Sequence, residues 1–275
     1  MKKVNLLLTV LFLIMTTFSA NCQDATIDAV EELKEEAGDD GFMVGADLVS
    51  RYIWRGTDYG NSPAIQPSLG FSWKGLEIGA WGSYAFAKQS IQVNDSTVED
   101  AGNYSEIDFY VSYTYKWFTV LFYDYFTVNG LNPNEGNNYF NYQNSTTGHT
   151  LEGALIFEGT EKVPLRFTAS TLLYGADKDK DSAGVYGNGT KNNFSTYFEL
   201  EYTFNIKKYN IDLKPFIGGT PFGSGWYGSK AGIINLGLSV RKEIPITPLY
   251  SLPVQVSVIT NPMTEAAFLV FAVSL

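Results

Sequence analysis

The chain has 275 residues, with 19 basic against 29 acidic side chains, one cysteine and one histidine. That balance argues against a nucleic-acid partner, whose affinity rests largely on basic contacts to phosphate, and a lone cysteine forms neither an internal disulfide nor a thiolate metal cluster. Aromatic residues make up 15% of the chain, yet no stretch after residue 22 approaches the ~18 continuous apolar residues that a transmembrane helix needs.

Residues 1–22 read as a signal peptide. Lys2 and Lys3 form a charged start, Val4 to Phe18 is mostly apolar, and Ala20-Asn21-Cys22 precedes Gln23 as a cleavage site. Lipidation at Cys22 is the alternative, although Ser19 and Asn21 fit a lipoprotein site poorly. Loss of the two lysines takes the net charge from −10 to −12. Residues 23–41 form an acidic lead-in without strand pattern, in which Ala29 to Glu36 could make a short amphipathic helix.

From residue 42 to 275 the pattern changes to a two-residue period. Phe42, Val44, Ala46, Leu48, Tyr52 and Trp54 alternate with a face carrying Asp47, Arg51 and Arg55. Successive side chains of a strand point to opposite faces, so each such segment has one greasy and one polar side. The same alternation recurs in Ile65–Trp73, Ile107–Tyr115, Leu151–Phe157, Leu165–Leu173, Phe198–Phe204 and Ile234–Val240. It is less clean in Leu76–Phe86, where Trp81 shares a face with Glu77, and in Phe118–Val128, where Asp124 shares a face with Phe122. Segments 211–219, 254–259 and 266–275 complete the set.

Lys74-Gly75 and Lys116-Trp117 are tight connections, and Gly159–Pro164, Ile206–Asn210 and Lys242–Pro253 are short to medium. Lys88–Ser105, Asn129–Gly148, Ala176–Asn193 and Pro221–Ala231 are long and polar. Short turns alternating with long loops are the rhythm of an outer-membrane barrel. The expected fold is therefore all-β: a transmembrane, antiparallel, up-and-down β-barrel of about 12 strands, an even number as single-chain bacterial barrels require. Both termini would lie on the periplasmic side, with the first strand, near Phe42, paired to the last, near Leu269.

Three stretches resemble the TorF-type porins, small outer-membrane barrels of Gram-negative bacteria. They are Ser50-Arg51-Tyr52-Ile53-Trp54-Arg55-Gly56, Pro63-Ala64-Ile65-Gln66 and Gly79-Ala80-Trp81-Gly82-Ser83, in matching order over residues 42–86. The resemblance implies a barrel with a channel role. Two departures are Arg51, where the family often has an acidic residue, and the C-terminal Leu275, where many barrels end in an aromatic.

Charge facing lipid costs roughly 2–4 kcal/mol for Arg or Lys near the midplane, so charged positions should face the lumen. The candidates are Asp47, Arg51, Arg55, Glu77, Glu106, Asp108, Asp124, Glu152, Arg166, Glu199, Glu201 and Arg241. Trp54, Trp73 and Trp117 are candidate membrane-interface aromatics, rings of the kind that form girdles in such barrels. The functional expectation is a porin-like channel for passive diffusion of ions or small polar solutes. A plugged structural or surface-interaction barrel is the alternative, because eight-stranded barrels are filled by side chains while those of 16–18 strands leave a channel.

No catalytic constellation, cofactor or metal site is expected. His149, with Ser145 and Asn144 nearby, is distantly similar to the residue types of outer-membrane phospholipase A, but triads are recognised by geometry rather than local composition. Asp177-Lys178-Asp179-Lys180-Asp181 alternates carboxylates with opposing lysines and lacks the glycine and terminal Glu of a calcium loop. The expected partners are outer-membrane lipid, the barrel-assembly machinery and small solutes or ions.

Overall fold

The computed structural model describes residues 40–94, 97–128, 138–160, 162–185 and 187–275. Residues 1–22, read above as a signal peptide, and nearly all of the segment read as an acidic lead-in lie outside the described residues. The chain is all-β, in fifteen strands: β1 (Gly41–Val49), β2 (Ile53–Trp54), β3 (Thr57–Asp58), β4 (Ala64–Trp73), β5 (Leu76–Asn94), β6 (Thr97–Tyr115), β7 (Phe118–Thr127), β8 (His149–Phe157), β9 (Leu165–Gly175), β10 (Thr196–Tyr202), β11 (Phe204–Ile206), β12 (Ile211–Thr220), β13 (Gly232–Thr247), β14 (Tyr250–Asn261) and β15 (Ala266–Ser274). Among the described residues no helix is long and apolar enough to cross a membrane.

Thirteen of these strands form one antiparallel sheet. β10 and β11 are a single stave interrupted at Thr203, so the sheet has 12 staves. It closes on itself because β1 pairs with both β4 and β15 while β10 pairs with both β9 and β12. The seam sets Asp47 opposite Ser274 and Val49 opposite Ala272. The first and last strands of the wall thus pair as the sequence leads one to expect, with the stagger that closing a tilted sheet demands.

The two-residue period decides which way each side chain points. Phe109, Val111 and Tyr113 are exposed on the outer wall, whereas their neighbours Asp108, Tyr110 and Ser112 are buried inside. The same division holds for Leu69 and Phe71 against Ser68 and Ser72, and for Phe198 and Leu200 against Glu199 and Glu201. An apolar exterior around a polar interior is the reverse of a soluble sandwich.

At the short-turn end the exterior carries exposed Trp73, Tyr115, Trp117 and Tyr209. The ammonium groups of Lys74, Lys116 and Lys208 lie 4.9, 5.3 and 5.0 Å from the ring centres of Trp73, Tyr115 and Tyr209. Rings with adjoining cations suit a boundary where one end of the side chain is apolar and the other wet.

Three connections differ from the sequence reading. Segment 88–105 is largely strand: β5 and β6 run on as a long hairpin to a connection at 95–96. Ile91, Val93, Thr97 and Val98 supply the β-branched residues that favour extended backbone. Segment 242–253 likewise continues β13 and β14 to a two-residue turn. The largest difference is at residues 51–61, which leave the barrel wall between Ser50, still bonded to Phe271 of β15, and Pro63, still bonded to Phe86 of β5.

Candidate functional site

β1 ends at Val49, and the chain turns inward. Ile53-Trp54 pairs with Thr57-Asp58 in a small hairpin separate from the wall. Its two turn residues, Arg55 and Gly56, both have positive φ, 49° and 76°. Two successive left-handed residues make the type of two-residue turn whose twist matches antiparallel strands. Gly56 also lies directly against the wall. A Cβ there would overlap the carbonyl oxygen of Ile234 on β13, and Asn261 Nδ2 donates to the Gly56 carbonyl at 3.3 Å.

The hairpin delivers Arg55 into the lumen, where it is 1% exposed. Its Nη1 and Nη2 donate to Oε1 and Oε2 of Glu152 on β8 at 2.6 and 3.0 Å. Nη1 also donates to the Tyr227 hydroxyl. The guanidinium carbon lies 4.4 Å from the Trp54 ring centre and 4.6 Å from that of Tyr197. Glu152 accepts a further bond from Tyr125 at 2.7 Å. A forked pair with supporting hydrogen bonds is the geometry in which two buried charges compensate each other's desolvation.

Rings from the wall complete the closure. Tyr52 packs on Tyr59, Trp81 and Tyr104 at centroid distances of 5.6, 5.3 and 6.1 Å. Trp54 packs on Tyr59, Tyr125 and Tyr227. Tyr110, Tyr123 and Tyr125 form a stack with spacings of 5.3 and 5.0 Å. The Tyr110 ring lies across Gly79, where a side chain would collide with it, and its hydroxyl donates to Glu77 at 2.8 Å. At the mouth, Arg51 is paired with Asp58 and bonded to Asn61.

Below the rings the lumen is polar. Arg166 Nε donates to Glu158 at 2.8 Å, and Glu158 also accepts from Thr119 at 2.7 Å. Lys214 is 3.6 Å from Glu201, Glu199 accepts from Asn235 at 2.8 Å and from Tyr197, and Arg241 reaches Glu243 at 3.3 Å. Gln66 Oε1, Asp108 Oδ2, Ser112 Oγ and Ser170 Oγ are buried without a hydrogen-bond partner. Polar atoms enclosed in this way are the sort that internal water satisfies.

Of the predicted lumen residues, Asp47, Glu77, Glu106, Asp108, Glu152, Arg166, Glu199, Glu201 and Arg241 occupy inward-facing strand positions. Glu106 accepts from Tyr104 at 2.7 Å, and Asp108 accepts from the Phe126 amide at 3.3 Å. Arg51 and Arg55 stand on the inward segment rather than on a strand of the wall.

Asp124 is a correction. It pairs across the sheet with Phe109 and Leu151 and lies on the outer wall with Phe122. The charge is tolerated there because it sits at the loop-end rim, bonded to His149 at 2.8 Å and to Tyr142 at 2.8 Å.

Trp73 and Trp117 are exposed on the exterior at the short-turn end, but Trp54 is a second correction: it is 5% exposed and inside the barrel. The sequence reading set Trp81 on the face of Glu77, where the structure has it, but did not name the inward rings Tyr123, Tyr125, Tyr197 and Tyr227. His149 does not face Ser145, because its two ring nitrogens contact Asp124 and the Tyr139 carbonyl. Among the described residues no three His, Cys, Asp or Glu side chains converge as metal ligands.

No protein-family profile matches the chain, and no curated protein matches it. Among solved structures, it is similar to a chain from work on the mechanism of in-meso crystallization of membrane proteins. That similarity covers 86% of this chain and 82% of the other, at 6% identity and a TM-score of 0.41.

Proposed function

We propose that this chain spans the outer membrane of a Gram-negative bacterium as a porin-like barrel that is closed at rest. On this reading it is exported through a cleaved signal peptide, inserted by the barrel-assembly machinery, and surrounded by lipid on its apolar exterior. Residues 51–61 shut the outer mouth, and ions or small polar solutes pass when that segment withdraws. The observation that carries the reading is the seating of Arg55 on Glu152, which fixes a mobile-length connection inside an otherwise polar lumen. The stretch with the TorF-type resemblance, Ser50 to Gly56, is the same stretch that enters the lumen, so the resemblance falls on the element proposed to gate.

The runner-up is a permanently plugged barrel with a structural or surface role. The ring packing around Tyr52 and Trp54 favours it, because these rings pack from the inward hairpin onto the inner wall. Planar-bilayer recording separates the two. The wild-type barrel should be silent or open rarely, and a variant with residues 51–61 replaced by a short Gly/Ser linker should show discrete steps. A linker variant that folds, shown by retained heat-modifiable gel mobility, yet gives no steps would establish the plugged barrel instead.

A further inference from the structure

His149 begins β8 on the outer wall and is wholly buried there. Both of its ring nitrogens meet acceptors. Nδ1 is 2.8 Å from Asp124 Oδ1, and Nε2 is 2.6 Å from the Tyr139 carbonyl oxygen. A carbonyl cannot donate, and the other Asp124 oxygen already accepts from the Tyr142 hydroxyl at 2.8 Å. A neutral imidazole has one donor and one acceptor nitrogen. Beside an ionised Asp124 it would therefore set two lone pairs against each other at one of the two contacts. The arrangement is satisfied only when His149 and Asp124 together hold one proton more than a neutral ring beside a carboxylate.

The surroundings suit a cation. The His149 ring is stacked on Tyr142 with centroids 4.0 Å apart, and Phe126 and Tyr139 lie at 4.6 and 5.0 Å. Aromatic faces attract a desolvated cation electrostatically. The cage has two halves. Asp124, Phe126 and His149 belong to the wall, whereas Tyr139 and Tyr142 belong to the connection between β7 and β8, so the shared proton ties that connection to the barrel.

We propose that His149 is a proton-operated clasp, which holds residues 138–148 against the outer wall at the loop-end rim and releases them when the proton leaves. Asp124 faces His149 from β7, and Tyr139 and Tyr142 face it from the connection. Tyr174 of β9 supports Tyr142 by donating to its carbonyl at 2.6 Å. Lys178, of the next connection, is the neighbouring cation and is held by Asn144 at 2.7 Å. β6 contributes the uncharged Phe109, which packs on Tyr139. Release uncovers Phe126 and Tyr139 beside Phe140, which is already 86% exposed.

The test is hydrogen–deuterium exchange of the full-length barrel in nanodiscs, corrected for intrinsic rates, at about pH 5.5 and 8.5. Protection of the 138–148 amides should fall roughly tenfold or more at the higher pH, as expected for losing a charge-assisted contact. His149→Gln cannot donate from both positions and should be weakly protected at both values. Asp124→Asn can turn its amide to donate to Nδ1 of a neutral ring while Nε2–H bonds the Tyr139 carbonyl, so it should stay protected at both values and lose the pH response, and it serves if the first variant fails to fold. Tyr142→Phe keeps the imidazole contacts and should retain the pH response. Equal protection of the wild type at both values, or a pH response that survives in the His149→Gln or Asp124→Asn barrel, would overturn the proposal.

Discussion

Arg55 and Glu152 stand 97 residues apart in the chain and meet inside the barrel in a forked, two-bond ion pair. One belongs to a segment that has left the wall and the other to the wall itself, so the pair joins the closure to the barrel. Both side chains are almost fully buried, at 1% and 3% exposure. Removing either partner leaves an uncompensated buried charge, which costs about 3–5 kcal/mol. Arg55→Ala and Glu152→Gln should each destabilise the folded barrel by that order in urea titrations. The double variant should lose less than the sum, because the second change removes the charge that the first left stranded. Strict additivity would mean that the pair does not hold the segment.

Gly56 tests the same closure through the backbone. Its φ of 76° is unfavourable for other residues, and a Cβ would strike the Ile234 carbonyl. Gly56→Ala should therefore cost more than the ~1 kcal/mol that separates Ala from Gly at compatible sites. The hairpin cannot seat without moving β13, so exchange should rise across residues 50–62 and leave the distant β4–β5 turn unchanged. Protection there equal to that of the wild type would show that the hairpin seats by another route.

The barrel was legible in the sequence because strand alternation is local: each residue's face follows from its neighbours, and Phe109, Val111 and Tyr113 needed no tertiary information. β7 was ambiguous because its aromatics occupy both parities, and Asp124 looked like a lumen charge until its rim position and its contact with His149 were known. The inward hairpin was not legible for a different reason. Tyr52, Trp54 and Arg55 continue the alternation of β1 unbroken, so the period alone extends the strand past Ser50. The signal that could have marked it is Arg55-Gly56 flanked by extended residues, a two-residue turn that makes sense only if the chain doubles back. Glu152 offers no such sign, since its partner is set by closure of the whole sheet.

The outer wall provides a prediction independent of the lumen. Val111 is 40% exposed on the exterior of β6 and sits between Ile78 and Phe122 on the adjoining strands. Val111→Arg should cost about 2–4 kcal/mol in a bilayer, as for basic residues placed on the lipid face of a barrel. The same change in a detergent micelle that lets the guanidinium reach water should cost less. Equal unfolding free energies for wild type and variant in lipid would mean that this face does not meet hydrocarbon.

Asp177, in the connection after β9, gives a pH dependence of definite sign. Burial pushes its carboxyl above the ordinary value of 3.8, although bonds from the Ser195 hydroxyl and amide and the nearby Lys178 ammonium pull the other way. Ser195 donates to it at 2.6 Å from the hydroxyl and 2.8 Å from the amide. Because the folded carboxyl holds its proton more tightly than the unfolded one, its contribution is fully present below 3.8 and is lost as the pH rises through the folded value. Protection of the 176–195 connection should thus decrease across that acidic window and then level off. Asp177→Asn keeps an acceptor for the Ser195 amide without the buried charge, so it should flatten the dependence and leave the connection at least as protected near neutral pH. A variant much less protected than the wild type at neutral pH would mean that the ionised carboxylate's bonds to Ser195 outweigh the cost of burying it.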